Sequence, residues 1–86
     1  MEKMRIMGVL VTNRLQDATK VQEILTKYGC NIKTRLGLHE TSETFCSRTG
    51  LLILELVGEK SIWDALENEL GVIDGIQVKS MDFAYE

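Results

Sequence analysis

The chain contains no proline, a single histidine (His39) and only two cysteines, Cys30 and Cys46. Without proline there is no proline-rich linker. Two cysteines far apart make no disulfide framework. One histidine gives no closely spaced ligand pair of the zinc-finger kind. The net charge of −3 excludes a strongly basic surface, so a free-standing nucleic-acid binder held by phosphates is not expected. No apolar run is long enough for a membrane span. The start, Met1-Glu2-Lys3-Met4-Arg5, lacks the pattern of a signal peptide. Glycine is scattered, with no glycine-rich phosphate loop.

What remains is a globular composition, 44% hydrophobic and 27% charged, in 86 residues. Residues 1–86 read as one domain. A chain of this size buries only about 60% of its unfolded surface, so its core is thin and a second subunit would help cover it.

Met4 to Thr12 reads as a strand apolar on both faces. Leu15 to Tyr28 has helical spacing, with Leu15, Ala18, Val21, Ile24, Leu25 and Tyr28 on one side. Gly29 follows as an expected left-handed stop. The second strand, Ile32 to His39, alternates: Ile32, Thr34, Leu36 and Leu38 are expected to face the helices, and Lys33, Arg35, Gly37 and His39 the opposite side. Glu40 to Thr49 reads as a long, mobile hairpin connection. Gly50 to Val57 is a third strand, apolar on both faces except at Glu55. Ser61 to Asp64 resembles a capping box opening a second helix with Ile62, Trp63, Leu66 and Leu70 inward. Asp74-Gly75 turns into a fourth strand, Ile76 to Tyr85, whose apolar register slips between Val78 and Met81 as a bulge would make it.

The order β-α-β-β-α-β predicts an α+β, ferredoxin-like sandwich with the first and third strands central and both helices on one face. The other face of the four-stranded, antiparallel-type sheet is then apolar and uncovered. Such a patch signals an interface, here a homodimer or homotetramer joined through the open sheet face.

The rarer chemical groups collect around the second strand. His39 and Cys46 suit nickel, zinc or copper, and a symmetric dimer would double the ligand count. The competing reading is two unrelated surface residues. Lys33 and Arg35, with Gly37 beyond them, form the candidate small-ligand group for an anion; the competing reading is charge that blocks strand pairing at an edge. Cys30 reads as a half-buried small hydrophobe. Glu55 is expected to pair with Lys33, Arg35 or the partner subunit. No Ser/His/Asp set, paired acids or cofactor fingerprint supports catalysis. Acylphosphatases share this fold, but Asn13-Arg14 is a poor match to an arginine-bearing phosphate loop.

The first strand Gly8-Val9-Leu10-Val11, the helix end Tyr28-Gly29, and Ile32 followed by Arg35-Leu36-Gly37-Leu38 carry a family resemblance. Gly50 to Leu54, Leu70-Gly71 and Asp74 to Ser80 extend it over nearly the whole chain. On these residues the chain resembles the small ACT-like proteins grouped as iron-only hydrogenase system regulators. More distantly it is similar to the C-terminal sensing domain of nickel-responsive repressors, where histidines and a cysteine near the second strand bind nickel across a tetramer. His39 and Cys46 occupy the comparable region, with Gly37 where a further histidine would stand. The resemblance implies a role in hydrogenase or redox-metabolism gene control, and with neither a signal peptide nor a catalytic set the chain is read as a cytoplasmic, non-enzymatic regulator. It would bind a small ligand at a subunit interface and act through a protein partner. The alternatives are a nickel or zinc sensor using His39 and Cys46, a small acylphosphatase-like enzyme, and a plain assembly module.

Overall fold

The computed structural model describes residues 2–12, 14–41 and 46–85, with side chains over 3–12, 18–37 and 50–85. Strand β1 (Glu2–Val11) leads to helix α1 (Arg14–Lys27), a 3-10 turn (Gly29–Asn31) and strand β2 (Ile32–Thr41). Strand β3 (Cys46–Leu56), helix α2 (Lys60–Gly71) and strand β4 (Ile76–Tyr85) follow. The sheet order is β2-β3-β1-β4, with all three neighbouring pairs antiparallel. This is the ferredoxin-like α+β sandwich, with β1 and β3 central as their two-sided apolar sequences predict.

Alternation along the strands decides what each face buries. Met7, Val9 and Val11 of β1, Leu54 and Leu56 of β3, and Ile76 of β4 meet the helices. Val21 and Leu25 of α1 and Trp63, Leu66 and Leu70 of α2 complete the core, at the i, i+4 and i, i+3, i+7 spacings that keep one helix face inward. Ile24 and Tyr28 pack half-buried at its margin, whereas Ala18 is exposed. The helices join through Glu69, which accepts hydrogen bonds from Lys27 Nζ and the Tyr28 hydroxyl. Those bonds hold the Glu69 carboxyl below its usual range and push the Tyr28 phenol up.

Several local expectations are corrected. Gly29 does not take a positive φ; the chain continues from α1 into the 3-10 turn, and Asn31 N–H is satisfied by the Tyr28 carbonyl at 2.9 Å. The capping box at Ser61 is not used. The N-cap of α2 is Glu59, without a side-chain cap, because Gly58 at φ 96° turns the chain early enough for the helix to begin at Lys60. Asp64 instead serves Arg5 and Lys60. Of the expected Glu40–Thr49 connection, Glu40 and Thr41 belong to β2 and Cys46 to Thr49 to β3, and residues 42–45 lie outside the described residues. No bulge interrupts β4, which pairs with β1 continuously from Tyr85 to Ile76. Its pattern slips because its helix side turns polar: Ser80 and Asp82 oppose Met7 and Arg5, while Met81 and Phe83 fall on the open face.

Gly58 illustrates how one position fixes the β3–α2 corner. An added Cβ would lie 2.5 Å from Asn31 Nδ2, and that amide donates to the Val57 carbonyl at 3.0 Å. Gly58→Ala therefore combines left-handed backbone strain with a lost bond, and about 1–3 kcal/mol of destabilisation is expected in urea unfolding. A change within a few tenths of a kcal/mol would contradict this account of the corner.

Candidate functional site

Two features stand apart from ordinary core packing: the sheet face opposite the helices, and a charged cluster where the helix layer ends.

On the open face, Ile6 and Leu10 of β1 alternate with Gly8, flanked by Leu51 and Ile53 of β3 and by Lys79 and Met81 of β4. Around Gly8, Ile6, Leu51, Ile53, Lys79, Ser80 and Met81 line a shallow depression of about 330 Å³. Its lining is mainly apolar, with Lys79 and Ser80 on the β4 side. Further out, Leu36, Met81, Phe83 and Tyr85 are 45–59% exposed, which is costly for large apolar side chains unless something covers them.

The second strand sits on this face differently from its sequence pattern. A register shift between Ile32 and Thr34 inserts Lys33 as an extra residue. Ile32 opposes Leu56 on the helix side, but Thr34 opposes Glu55 and Leu36 opposes Ile53 on the open side. Arg35 and Gly37 oppose Leu54 and Leu52, and so lie toward the helix side. The expected arrangement, with Lys33, Arg35 and Gly37 together on the open face, is thus overturned by one inserted residue. Lys33 Nζ lies 3.9 Å from Glu55 Oε2, and Thr34 Oγ1 donates to Glu55 Oε1 at 3.0 Å. The odd acid of β3 thus has a loose contact with Lys33, one of the pairings the sequence led one to expect, and a hydrogen bond from Thr34 at the β2 margin. Arg35 and Gly37 are exposed near the edge.

The backbone of His39 opposes Gly50, and Cys46 opposes Thr41, two residues further along β2. The side chains of both lie outside the described residues. Among the described residues no three metal-binding side chains cluster. Cys30, read as a half-buried hydrophobe, is exposed, because the 3-10 turn that carries it lies on the surface.

The charged cluster was not foreseen. Arg5 is 5% exposed on the helix side of β1, just past Met7. Its Nε donates to Asp82 Oδ1 at 2.5 Å, Nη2 to Asp82 Oδ2 at 2.9 Å, and Nη1 to Asp64 Oδ1 at 2.9 Å. Glu67 Oε1 is 3.7 Å away, and the guanidinium lies 5.5 Å from the Trp63 ring centroid. The fork-on-fork pairing with Asp82 is the strong geometry for arginine. Arg5 holds the Asp82 and Asp64 carboxyls below their usual range, with Lys60 assisting at Asp64, and the acids raise the guanidinium's own pKa. Three guanidinium hydrogen bonds go to the protein's own carboxylates and the group lies over a ring, so this cluster ties β1, α2 and β4 together. The signal was an arginine in the apolar register of β1, with acids at the matching level of β4 and in the first turns of α2.

No described helix is long and apolar enough to cross a membrane. A family model described as "Iron-only hydrogenase system regulator, putative" (TM1266-like) matches residues 3–80. Among solved structures, the uncharacterized protein TM1266 from Thermotoga maritima superposes with a TM-score of 0.81 at 26% identity, over 96% of this chain and 100% of that one. The divalent ion tolerance protein CutA1 from Ehrlichia chaffeensis shares the fold, with a TM-score of 0.56 at 13% identity, over 100% of this chain and 86% of that one. So does CPII from Thiomonas intermedia K12, solved with ADP, AMP and acetate, with a TM-score of 0.52 at 10% identity over 98% and 91%. No curated protein matches the chain.

Proposed function

The chain belongs to the TM1266-like family of iron-only hydrogenase system regulators, and from that premise we propose that it is a cytoplasmic, single-domain regulator working as a homo-oligomer. Small-ligand binding at the subunit interface shifts its quaternary state and so its engagement of a protein partner. The observation that carries this reading is the apolar open face, with Leu36, Met81 and Phe83 exposed to solvent in the single chain. A face of this kind on so small a domain is stabilised by a second subunit, and an interface is where a ligand can discriminate between assembly states. The non-enzymatic reading is supported by the family description. The ligand group proposed on β2 is Arg35 with Gly37, exposed beside the sheet edge, with Lys33 at the inserted residue between that edge and Glu55.

Thermal-shift screening against adenine nucleotides, amino acids, nickel and zinc tests this, followed by sedimentation of any hit. The expected result is a saturable rise in Tm, about 2.7 kcal/mol of stabilisation at a hundredfold excess over Kd, with a change in sedimenting mass. No shift across these classes would overturn the sensor reading.

A second reading, a nickel or zinc sensor, is supported by the backbone register that sets Cys46 two residues along from the level of His39. Imidazole and thiolate suit those metals, and two copies would supply a four-ligand set. Nickel or zinc that binds wild type and fails to bind the His39→Ala and Cys46→Ser variants would favour it. Metal-free protein indifferent to both ions would remove it.

A further inference from the structure

We propose that a second copy of this chain covers the open sheet face about a two-fold axis that runs parallel to the strands over Gly8. Lys79 on β4 of each copy then meets Glu55 on β3 of the other. This rests on the regulatory reading above and gives its interface a geometry.

Gly8 is the first indication. It lies inside the central strand β1, opposite Ile53 on one side and Lys79 on the other. Its φ is not positive, and an added Cβ would meet nothing nearer than the Lys79 carbonyl oxygen at 3.8 Å. Neither backbone conformation nor a neighbour in the same chain requires glycine there. A glycine in a strand interior costs stability, and such positions often mark a bulge, a tight bend, or a site that a ligand or another backbone approaches closely; β1 pairs continuously with both neighbours at Gly8, which leaves the last of these. Here the vacant space is the floor of the apolar depression, flanked by Ile6, Leu51, Ile53 and Met81.

Charge chooses between the possible axes. No described carboxylate of its own chain forms a salt bridge with Lys79. Glu55 opposes Ile6, two residues along β1 from Gly8, and its contact to Lys33 at 3.9 Å is loose. β3 and β4 flank β1 on opposite sides. An axis parallel to the strands lays β3 over the second copy's β4. Lys79 then faces the opposing β3 about 7 Å along from Glu55, one two-residue step, which a lysine stem spans. An axis across the strands at Gly8 would stack β4 on β4 and set Lys79 against its own copy.

The area suffices. Four strands about 4.8 Å apart and about eight residues long give a footprint of roughly 500 Å² per copy, or roughly 1,000 Å² in all. That meets the threshold of about 1,000 Å² for a biological interface, and sheets packed this way align within about 30° of each other.

Sedimentation equilibrium of the full chain and three variants tests the proposal. Wild type is expected to dimerise. Gly8→Val, which suits a strand and has room within the chain, is expected to keep the wild-type circular dichroism spectrum and raise the dimer Kd by on the order of a hundredfold. Lys79→Met and Glu55→Gln are each expected to raise Kd about fivefold, and the double variant hardly more than either. Independent, multiplying effects of the two changes, or a Gly8→Val protein of unaltered affinity, would overturn this geometry while leaving a ligand-induced Tm shift, and so the regulatory reading, standing. A wild-type chain monomeric at hundreds of micromolar would overturn both.

Discussion

Replacing Arg5 by methionine is expected to lower stability by about 2–4 kcal/mol. Breaking a fully buried pair costs about 3–5 kcal/mol; the value here is smaller because the acids keep part of their hydration. Arg5 is nearly buried, whereas the Asp82 and Asp64 side chains are 42% and 49% exposed. Methionine keeps much of the packing under Trp63 but leaves Asp82, Asp64 and Glu67 facing one another without their cation. Urea unfolding at neutral pH measures the loss, and a change below about 0.5 kcal/mol, typical of a surface site, would contradict the role assigned to the cluster. The pH dependence supplies a second signature. Both aspartates are held below their ordinary range in the folded chain. Their contribution is therefore fully present above the ordinary carboxylate range and is lost as pH falls through the depressed folded values. Wild type should lose stability progressively below about pH 4, and the Arg5→Met variant should show a flatter curve there.

Trp63→Ala is expected to cost about 3–5 kcal/mol. The indole is 2% exposed, fills the core between α2 and the sheet, and donates Nε1–H to the Val57 carbonyl at 3.0 Å. Trp63→Phe isolates the polar part. The Val57 carbonyl keeps its bond from Asn31 Nδ2, so it is not orphaned, and the loss should fall to about 1–2 kcal/mol. Equal losses for the two variants in urea unfolding would show that the cavity is not the main cost. Trp63 and Arg5 touch through the ring face, so their effects should not add.

The topology was legible because it depends on coarse periodicity. Two strands apolar on both faces had to be central, and β1 and β3 are. Helix faces were legible for the same reason, from Val21 and Leu25 and from Trp63, Leu66 and Leu70. What was not legible was anything that turns on one residue of register. The insertion at Lys33 leaves no mark in a strand whose residues alternate either way, yet it moves Arg35 and Gly37 together to the other side of the sheet. The opposite error occurred on β4. There a polar stretch imitated a bulge, because Asp82 is inward-facing but paired with an arginine rather than with core. A buried arginine is unreadable from one sequence until its carboxylates are placed beside it, and those lie 59 and 77 residues away. The open face was legible as an unpartnered surface. Its central glycine acquired meaning only when the space above it proved empty.

The central claim is that the open sheet face is covered by another copy of the chain. The most direct measurement is the sedimenting mass of the unliganded protein over a dilution series. The account predicts a species of twice the 9.7 kDa chain mass at high concentration, dissociating reversibly on dilution. A single 9.7 kDa species at every concentration would contradict it.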